Sequence, residues 1–303
     1  MKSWEFTKIR ENKIKIDSWL SETMGLVDGG CLYSTLFKYP EQGPKRYELI
    51  LSMYPQENFR TLAHVTVFAD DVPGSTVQAA RFLSSQNINI LNSVSLTGIS
   101  DTTIIWNILA DLNFAGEGDI IKERFQALKT AGDPSVDKIR YVSIKPANIG
   151  RIFRTRNDDE GTLKTELRHG APVTYSDSCF DLSKEYGDLL TDVEGTEVMI
   201  TLDPGSWLVS VVFFKADTDL IKIDMNIPDS IGSIDTALSL LADVRINLIS
   251  VFTKMMISFQ TMELEVVADV KESLVTADEL KPRLSEYLAK QNGVYTLKRI
   301  ERL

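Results

Sequence analysis

An α+β chain in which one βαββαβ unit occurs twice is what this sequence predicts, and three observations carry the prediction. Residues 65–90 read VTVFADDVPGSTVQAARFLSSQNINI, and residues 223–248 read IDMNIPDSIGSIDTALSLLADVRINL. Gly74 matches Gly232 and Asn89 matches Asn247, both at an offset of 158 residues, and self-similarity at a fixed offset marks a duplicated structural unit. Around each match the hydrophobic spacing gives the same order of strands and helices.

In the first copy, residues 63–69 alternate, with Val65 and Val67 on one face and His64 and Thr66 on the other, as a half-buried strand does. Residues 70–75 are rich in chain breakers. Residues 75–86 carry Ala79, Ala80, Phe82 and Leu83 near helical spacing, 88–97 are β-prone, and 98–101 form a tight turn. A hairpin partner follows at 103–112, then a helix with Ile121, Phe125 and Leu128 in one stripe. A last strand spans 138–144. The second copy repeats this with strands at 220–226, 246–255, 257–268 and 294–300. Its first helix, 233–244, turns Ala237, Leu238 and Leu241 inward. Its second helix has Leu280, Leu284 and Tyr287 in register; Thr276 and Glu279 match a capping box at its start, whereas Pro282 points to a start nearer Lys281. A βαββαβ order with right-handed crossovers is the ferredoxin-like arrangement.

The correspondence extends upstream. Residues 31–38 and 46–53 bracket a turn at 39–44, and 197–202 and 207–214 bracket one at 203–206. Each hairpin follows a short helical stretch, at 18–27 and 182–193. The expected fold is therefore two ferredoxin-like domains in an internal duplication, each preceded by a small α/β hairpin module. The divisions expected are 1–62, 63–145, 146–219 and 220–303. Residues 145–170, charged and mixed in sign, form a linker or a surface hairpin turning at 157–161.

Composition narrows the function classes. Hydrophobic residues make up 43% and charged residues 25%, as in ordinary globular proteins. The net charge of −10 argues against nucleic acid and anionic membranes as partners. No apolar run is long enough to span a membrane, and the charged start has no signal-peptide core, so a cytoplasmic protein is expected. Cys31 and Cys179 read as reduced thiols. His64 reads as solvated, and neither it nor His169 forms a metal-ligand spacing with the cysteines. Residues 25–30 lack the ending of a phosphate loop. No carboxylate pair stands out for acid–base work. No metal, no cofactor and no catalytic residue is expected.

The Asp71-Val72-Pro73-Gly74 loop before a helix and the Ile88-Asn89-Ile90 segment after it resemble the ACT domain family. In the second copy Gly232 and Asn247 keep the pattern, Ile231 replaces the proline, and Asn87 stands where the family often has glycine. The resemblance covers about 80 residues per copy, a typical small domain length. It implies a regulatory domain of amino-acid metabolism that binds an effector between two such domains packed edge to edge.

The residues give that implication a chemistry. A helix N-terminus offers unpaired N–H groups to a carboxylate, and Gly74 and Gly232 allow close approach. Asp71 or Asp229 would receive an ammonium, and Asn89 or Asn247 offers a donor and an acceptor. The candidate ligand-binding residues are Asp70, Asp71, Val72, Pro73, Gly74, Ser75 and Asn89, with Asp229, Ser230, Ile231, Gly232 and Asn247 as their counterparts. The plainer reading is a turn, a helix cap and a bonded asparagine. The function expected is a non-catalytic regulator that binds a free amino acid, is a homo-oligomer, and acts on a partner enzyme or on its own assembly. The alternatives are a ligand-free structural module, or an enzyme whose site lies in the hairpin modules.

Overall fold

The computed structural model describes residues 4–41, 43–54, 61–97, 102–147, 165–203, 208–291 and 294–303. The turns expected at 98–101 and 157–161, residues 204–207 and the side chain of His169 lie outside the described residues.

Eight strands close into one antiparallel barrel. The first half of the chain supplies β1 (Trp4–Arg10), β2 (Lys13–Lys15), β3 (Gly30–Lys38) and β4 (Lys45–Ser52). Past four strands at Leu62–Asp70 (β5), Asn89–Thr97 (β6), Thr103–Asp111 (β7) and Ile139–Pro146 (β8) come β9 (Thr165–Ser176), β10 (Cys179–Asp181), β11 (Glu197–Asp203) and β12 (Leu208–Phe214). Their order round the barrel is β1-β11-β12-β4-β3-β9-β10-β2. Exchanging β1 with β9, β2 with β10, β3 with β11 and β4 with β12 leaves that order unchanged. The halves are thus interleaved: β3 pairs with β9, and β1 pairs with β11, from Trp4↔Thr201 to Lys8↔Glu197. Two-residue turns at Glu11-Asn12 (φ 53° and 56°) and Asp177-Ser178 (φ 52° and 59°) reverse the β1–β2 and β9–β10 hairpins, as the twist of antiparallel strands prefers.

The barrel interior is filled by side chains, as eight strands allow. Ile9, Leu36, Leu49, Phe180, Val211 and Phe213 are fully buried there. Leu20 and Met24 from α1 (Ser18–Met24) plug it, as does Tyr186 from α4 (Ser183–Tyr186). The Tyr186 hydroxyl lies 2.6 Å from the Ser34 hydroxyl, so two polar groups inside the barrel satisfy each other.

This barrel corrects the expected fold class. The chain is mostly antiparallel sheet with a closed eight-stranded barrel and little helix, not two ferredoxin-like domains behind separate hairpin modules. An isolated hairpin exposes two unpaired edges and a bare face. Pairing each half's hairpin with the other half's strands removes those edges.

Two four-stranded sheets pack on the outside of the barrel. The first contains β5 (Leu62–Asp70), β6 (Asn89–Thr97), β7 (Thr103–Asp111) and β8 (Ile139–Pro146) in the order β6-β7-β5-β8, with helices α2 (Ser75–Ser85) and α3 (Gly118–Thr130) on one face. The second contains β13 (Leu220–Pro228), β14 (Asn247–Ile257), β15 (Thr261–Asp269) and β16 (Thr296–Arg302) in the order β14-β15-β13-β16, with α5 (Ser233–Asp243) and α6 (Ala277–Ala289). Helix α6 starts at the Thr276–Glu279 capping box and carries Pro282 inside it, which resolves the two starts the sequence allowed. The first sheet seats Leu62 and Leu109 against Phe37, Ile50 and Leu208 of the barrel. The second seats Leu220 and Val267 against Met199, Val212 and Phe214.

Candidate functional site

Each candidate loop links the end of a sheet's first strand to its first helix. Gly74 (φ 89°) and Gly232 (φ 87°) are the N-caps of α2 and α5, both in the left-handed region where a side chain is strained. Neither helix has a side-chain N-cap bond, so its first N–H groups are not capped that way. At the far ends of these helices, Asn87 (φ 57°) and Arg245 (φ 59°) take the left-handed turn into the next strand. Asparagine tolerates that conformation, which explains its presence where glycine is common.

In the first loop Asp70 is held by Arg140, whose Nε lies 2.5 Å from Oδ1 and whose other nitrogens reach Thr103 Oγ1 and the Thr102 carbonyl. Asp71 is exposed, and its carboxylate has no partner among the described residues. Val72, Pro73 and Gly74 are exposed, and the Lys138 ammonium donates to the Pro73 carbonyl at 2.8 Å. Ser75 is 2% exposed, and its hydroxyl has no hydrogen-bond partner among the described residues. Gln78 ties α2 to residues 134–138, just before β8: its carbonyl accepts from Lys138 N, and its amide donates to Pro134 O and Asp137 Oδ1. That side-chain bond holds the Asp137 carboxyl below the usual range.

The second loop is more self-satisfied. The Asp229 carboxylate accepts from Phe259 N at 2.7 Å. Ser233, the counterpart of Ser75, has its hydroxyl 2.7 Å from Ser230 Oγ. The first loop has Val72 in that place, which accounts for the unmet hydroxyl of Ser75. Ile231 stands fully in solvent at the mouth of the loop, and Gly232 is exposed.

The asparagines are elsewhere. Asn89 pairs with Asp111, which pairs with Leu62 at the start of β5, while Asp70 ends β5 opposite Thr103. Eight residues separate Leu62 from Asp70, about 27 Å along a strand. Asn247 bears the same relation to its own loop, through Asp269 and Leu220. Both asparagines are exposed. Within one sheet, therefore, loop and asparagine lie at opposite ends and do not meet. The strands bearing the asparagines, β6 and β14, are each last in their sheets. Val94 and Leu96 on β6, and Val251, Met255, Met256 and Ile257 on β14, are exposed apolar residues on these edges.

Both cysteines are free, with Cys31 Sγ 3.9 Å from Thr174 Oγ1. Among the described residues no group of three or more His, Cys, Asp or Glu is placed to hold a metal ion. His64 is exposed on the face of its sheet away from the helices. Among the described residues no helix is long and apolar enough to cross a membrane.

No protein-family model matches the chain, and no curated protein matches it in sequence. Solved structures similar to it include an unknown protein from Galdieria sulphuraria at 13% identity, covering 80% of this chain and 98% of that one with a TM-score of 0.24. A putative glycine cleavage system transcriptional repressor is similar at 10% identity, with the same coverage and TM-score. The small subunit of acetolactate synthase from Thermotoga maritima is similar at 9% identity, over 80% of this chain and 96% of that one, with a TM-score of 0.22. Likenesses of this size do not assign the chain to a family, and the residues of the two loops remain the basis for its function.

Proposed function

We propose that the chain is a non-catalytic regulatory protein that binds a free amino acid where a sheet edge of one copy meets that of a second copy. The observation that carries this reading is the placement of loop and asparagine at opposite ends of one sheet, next to an uncovered edge strand. When two such edges pair antiparallel, the start of one strand lies beside the end of the other. Asn89 of one copy then comes to the end of the sheet that holds residues 71–74 of its partner. The loop lies two strands in from that edge, roughly 10 Å at normal strand spacing. Pairing would also cover the apolar residues on β6 or β14, which are otherwise an association hazard. The ligand's carboxylate would sit at the N-terminus of α2 and its ammonium at Asp71, and its binding would be read out by assembly or by a partner enzyme.

The second loop supports a different reading for its own half. With Asp229 bonded to Phe259 N and Ser233 bonded to Ser230, it is suited to a structural role, and the first loop is the better binder. A thermal-shift screen of the free amino acids tests the proposal. A ligand at 100 times its Kd stabilises by ~2.7 kcal/mol, a melting shift of ~4 °C for a chain of this length. At least one amino acid at millimolar concentration is expected to give such a shift, and a flat response across the set would leave only the structural reading.

A further inference from the structure

The face of the second sheet away from its helices is only partly covered by the barrel. A cleft of about 600 Å3 remains between β1 and strands β13 to β15, a size typical of small-molecule sites at the junction of two bodies. Its floor is a charged network. Lys222 is 8% exposed, and its ammonium lies 3.1 Å from Asp224 Oδ1 and 3.1 Å from Glu265 Oε1. It also lies 4.9 Å from the ring centre of Trp4. The Trp4 indole N–H donates to Glu265 Oε2 at 3.0 Å, and the ring stacks on Phe252 with centroids 4.9 Å apart. Arg299 closes on the other oxygen of Asp224.

The architecture does not require these charges. In the first sheet, His64, Thr66 and Asn107 occupy the places of Lys222, Asp224 and Glu265, and Ser143 faces Thr66 as Arg299 faces Asp224. Burying ions costs desolvation that their attraction repays only in part, so a neutral face is the simpler way to build such a sheet. At the mouth of the cleft Glu263 is held by Lys298 at 2.7 Å and Glu301 by Arg299 at 3.1 Å. Surface pairs of this kind contribute little to stability and are readily exchanged for a competitor. Glu263, Glu265 and Glu301 line the cleft beside Lys222 and Lys254, whereas the Glu5 carboxylate accepts from Asp17 N and Trp19 Nε1 at the start of α1. The network also already accommodates an alkylammonium, that of Lys222, between carboxylates and an aromatic face, a favoured setting for a desolvated cation.

We propose that this cleft binds a small organic ammonium with an apolar body, the ammonium on the Glu263 and Glu301 carboxylates and the body against Phe252 and Phe6. The site is separate from the amino-acid loops and does not depend on them.

Calorimetric titration of the full chain with three probes of one shape tests it: 2-phenylethylamine, the neutral 2-phenylethanol and the anionic 3-phenylpropionate. The amine is expected to bind with a Kd of millimolar order or tighter, and the other two at least tenfold more weakly, about the loss expected when a charge-assisted bond is removed. Glu263→Gln combined with Glu301→Gln is expected to weaken the amine at least tenfold while the melting curve stays cooperative, and Asp71→Ala to leave it unchanged. Absence of amine binding up to about 20 mM, equal binding of the alcohol, or unchanged binding by the double variant would each overturn the proposal.

Discussion

The two four-stranded sheets agree in strand order and in helix placement, yet their helix-free faces differ in kind. The first sheet meets the barrel through Leu62 and Leu109 and carries His64, Thr66, Asn107 and Ser143 at the places of Lys222, Asp224, Glu265 and Arg299, with Thr66 donating to Asn107 Oδ1 across the strands. The second meets it through Leu220 and Val267 and then through a buried chain of alternating charge that reaches Trp4 of β1. One architecture thus tolerates both solutions. The difference therefore belongs to function or to specificity of docking, not to the needs of the sheet.

The largest expected effect follows from that contrast. Lys222→Met leaves Asp224 and Glu265 short of their shared cation and should cost about 3 kcal/mol, since breaking a buried pair strands a charge. His64→Met, at the matching exposed place, should change stability by no more than about 0.5 kcal/mol. Denaturant titration of both variants checks the pair. Copying the first sheet's residues together, as Lys222→His, Asp224→Thr, Glu265→Asn and Arg299→Ser, should cost less than Lys222→Met alone, because no charge is stranded. If the fourfold variant is the less stable, the charges are integral to the fold and the contrast has been misread.

Trp4→Phe keeps a ring over Phe252 and removes the hydrogen bond to Glu265. A lost bond to a charged acceptor predicts a cost of about 1.5–2 kcal/mol, with a change in the near-ultraviolet dichroism as the indole leaves. The loops should differ in a parallel way. Asp71→Ala should weaken amino-acid binding about ten- to hundredfold with little change in stability. Asp229→Ala should do the reverse, lowering stability by about 1 kcal/mol through the lost bond to Phe259 N and affecting binding less.

The smallest effects lie at the second helix of each sheet. Helix α6 has a full capping box, whereas the N-cap of α3, Glu117, makes no side-chain cap bond. Thr276→Ala should cost about 1 kcal/mol, and Glu117→Ser should add a few tenths. The Thr276 backbone N–H holds the Glu279 carboxyl below its ordinary value of 4.5. A lowered folded-state value means that this contribution is fully present above about pH 4.5 and is lost as the pH falls through the folded value. The difference between Glu279→Gln and the parent should accordingly narrow in acid melts.

Much of the two sheets was legible because their signals are local. The breakers around Gly74 and Gly232 and the apolar stripes of Phe82 with Leu83, and of Leu280 with Leu284, are written within a dozen residues. The barrel was not legible for the same reason. Strand β1 buries Ile9 inward while Trp4 and Phe6 face the second sheet, so alternation between wet and dry faces is lost. Strands β2 and β10 are three residues long, too short for any periodicity, and closure joins residues about two hundred positions apart. The candidate loops were located correctly as turns before helices. What the sequence could not convey was the engagement of Asp229, the unmet hydroxyl of Ser75, or the cleft. Lys222, Asp224, Glu263 and Glu265 alternate along their strands and read as a solvated face, because nothing local announces that Trp4 covers it.

In the proposed function, a complete amino-acid site takes its loop from one copy and its asparagine from another. Complementation tests it most directly. The screen's best ligand is titrated calorimetrically into Asp71→Ala, into Asn89→Ala with Asn247→Ala, and into an equimolar mixture of the two unfolded and refolded together. Neither variant alone should bind with parental affinity. In a symmetric dimer, random re-pairing should restore about one quarter of the parental sites at parental affinity, because half the dimers are mixed and one of their two sites is whole. Binding by either variant alone at parental affinity, or no recovery in a mixture shown to exchange subunits, would contradict it.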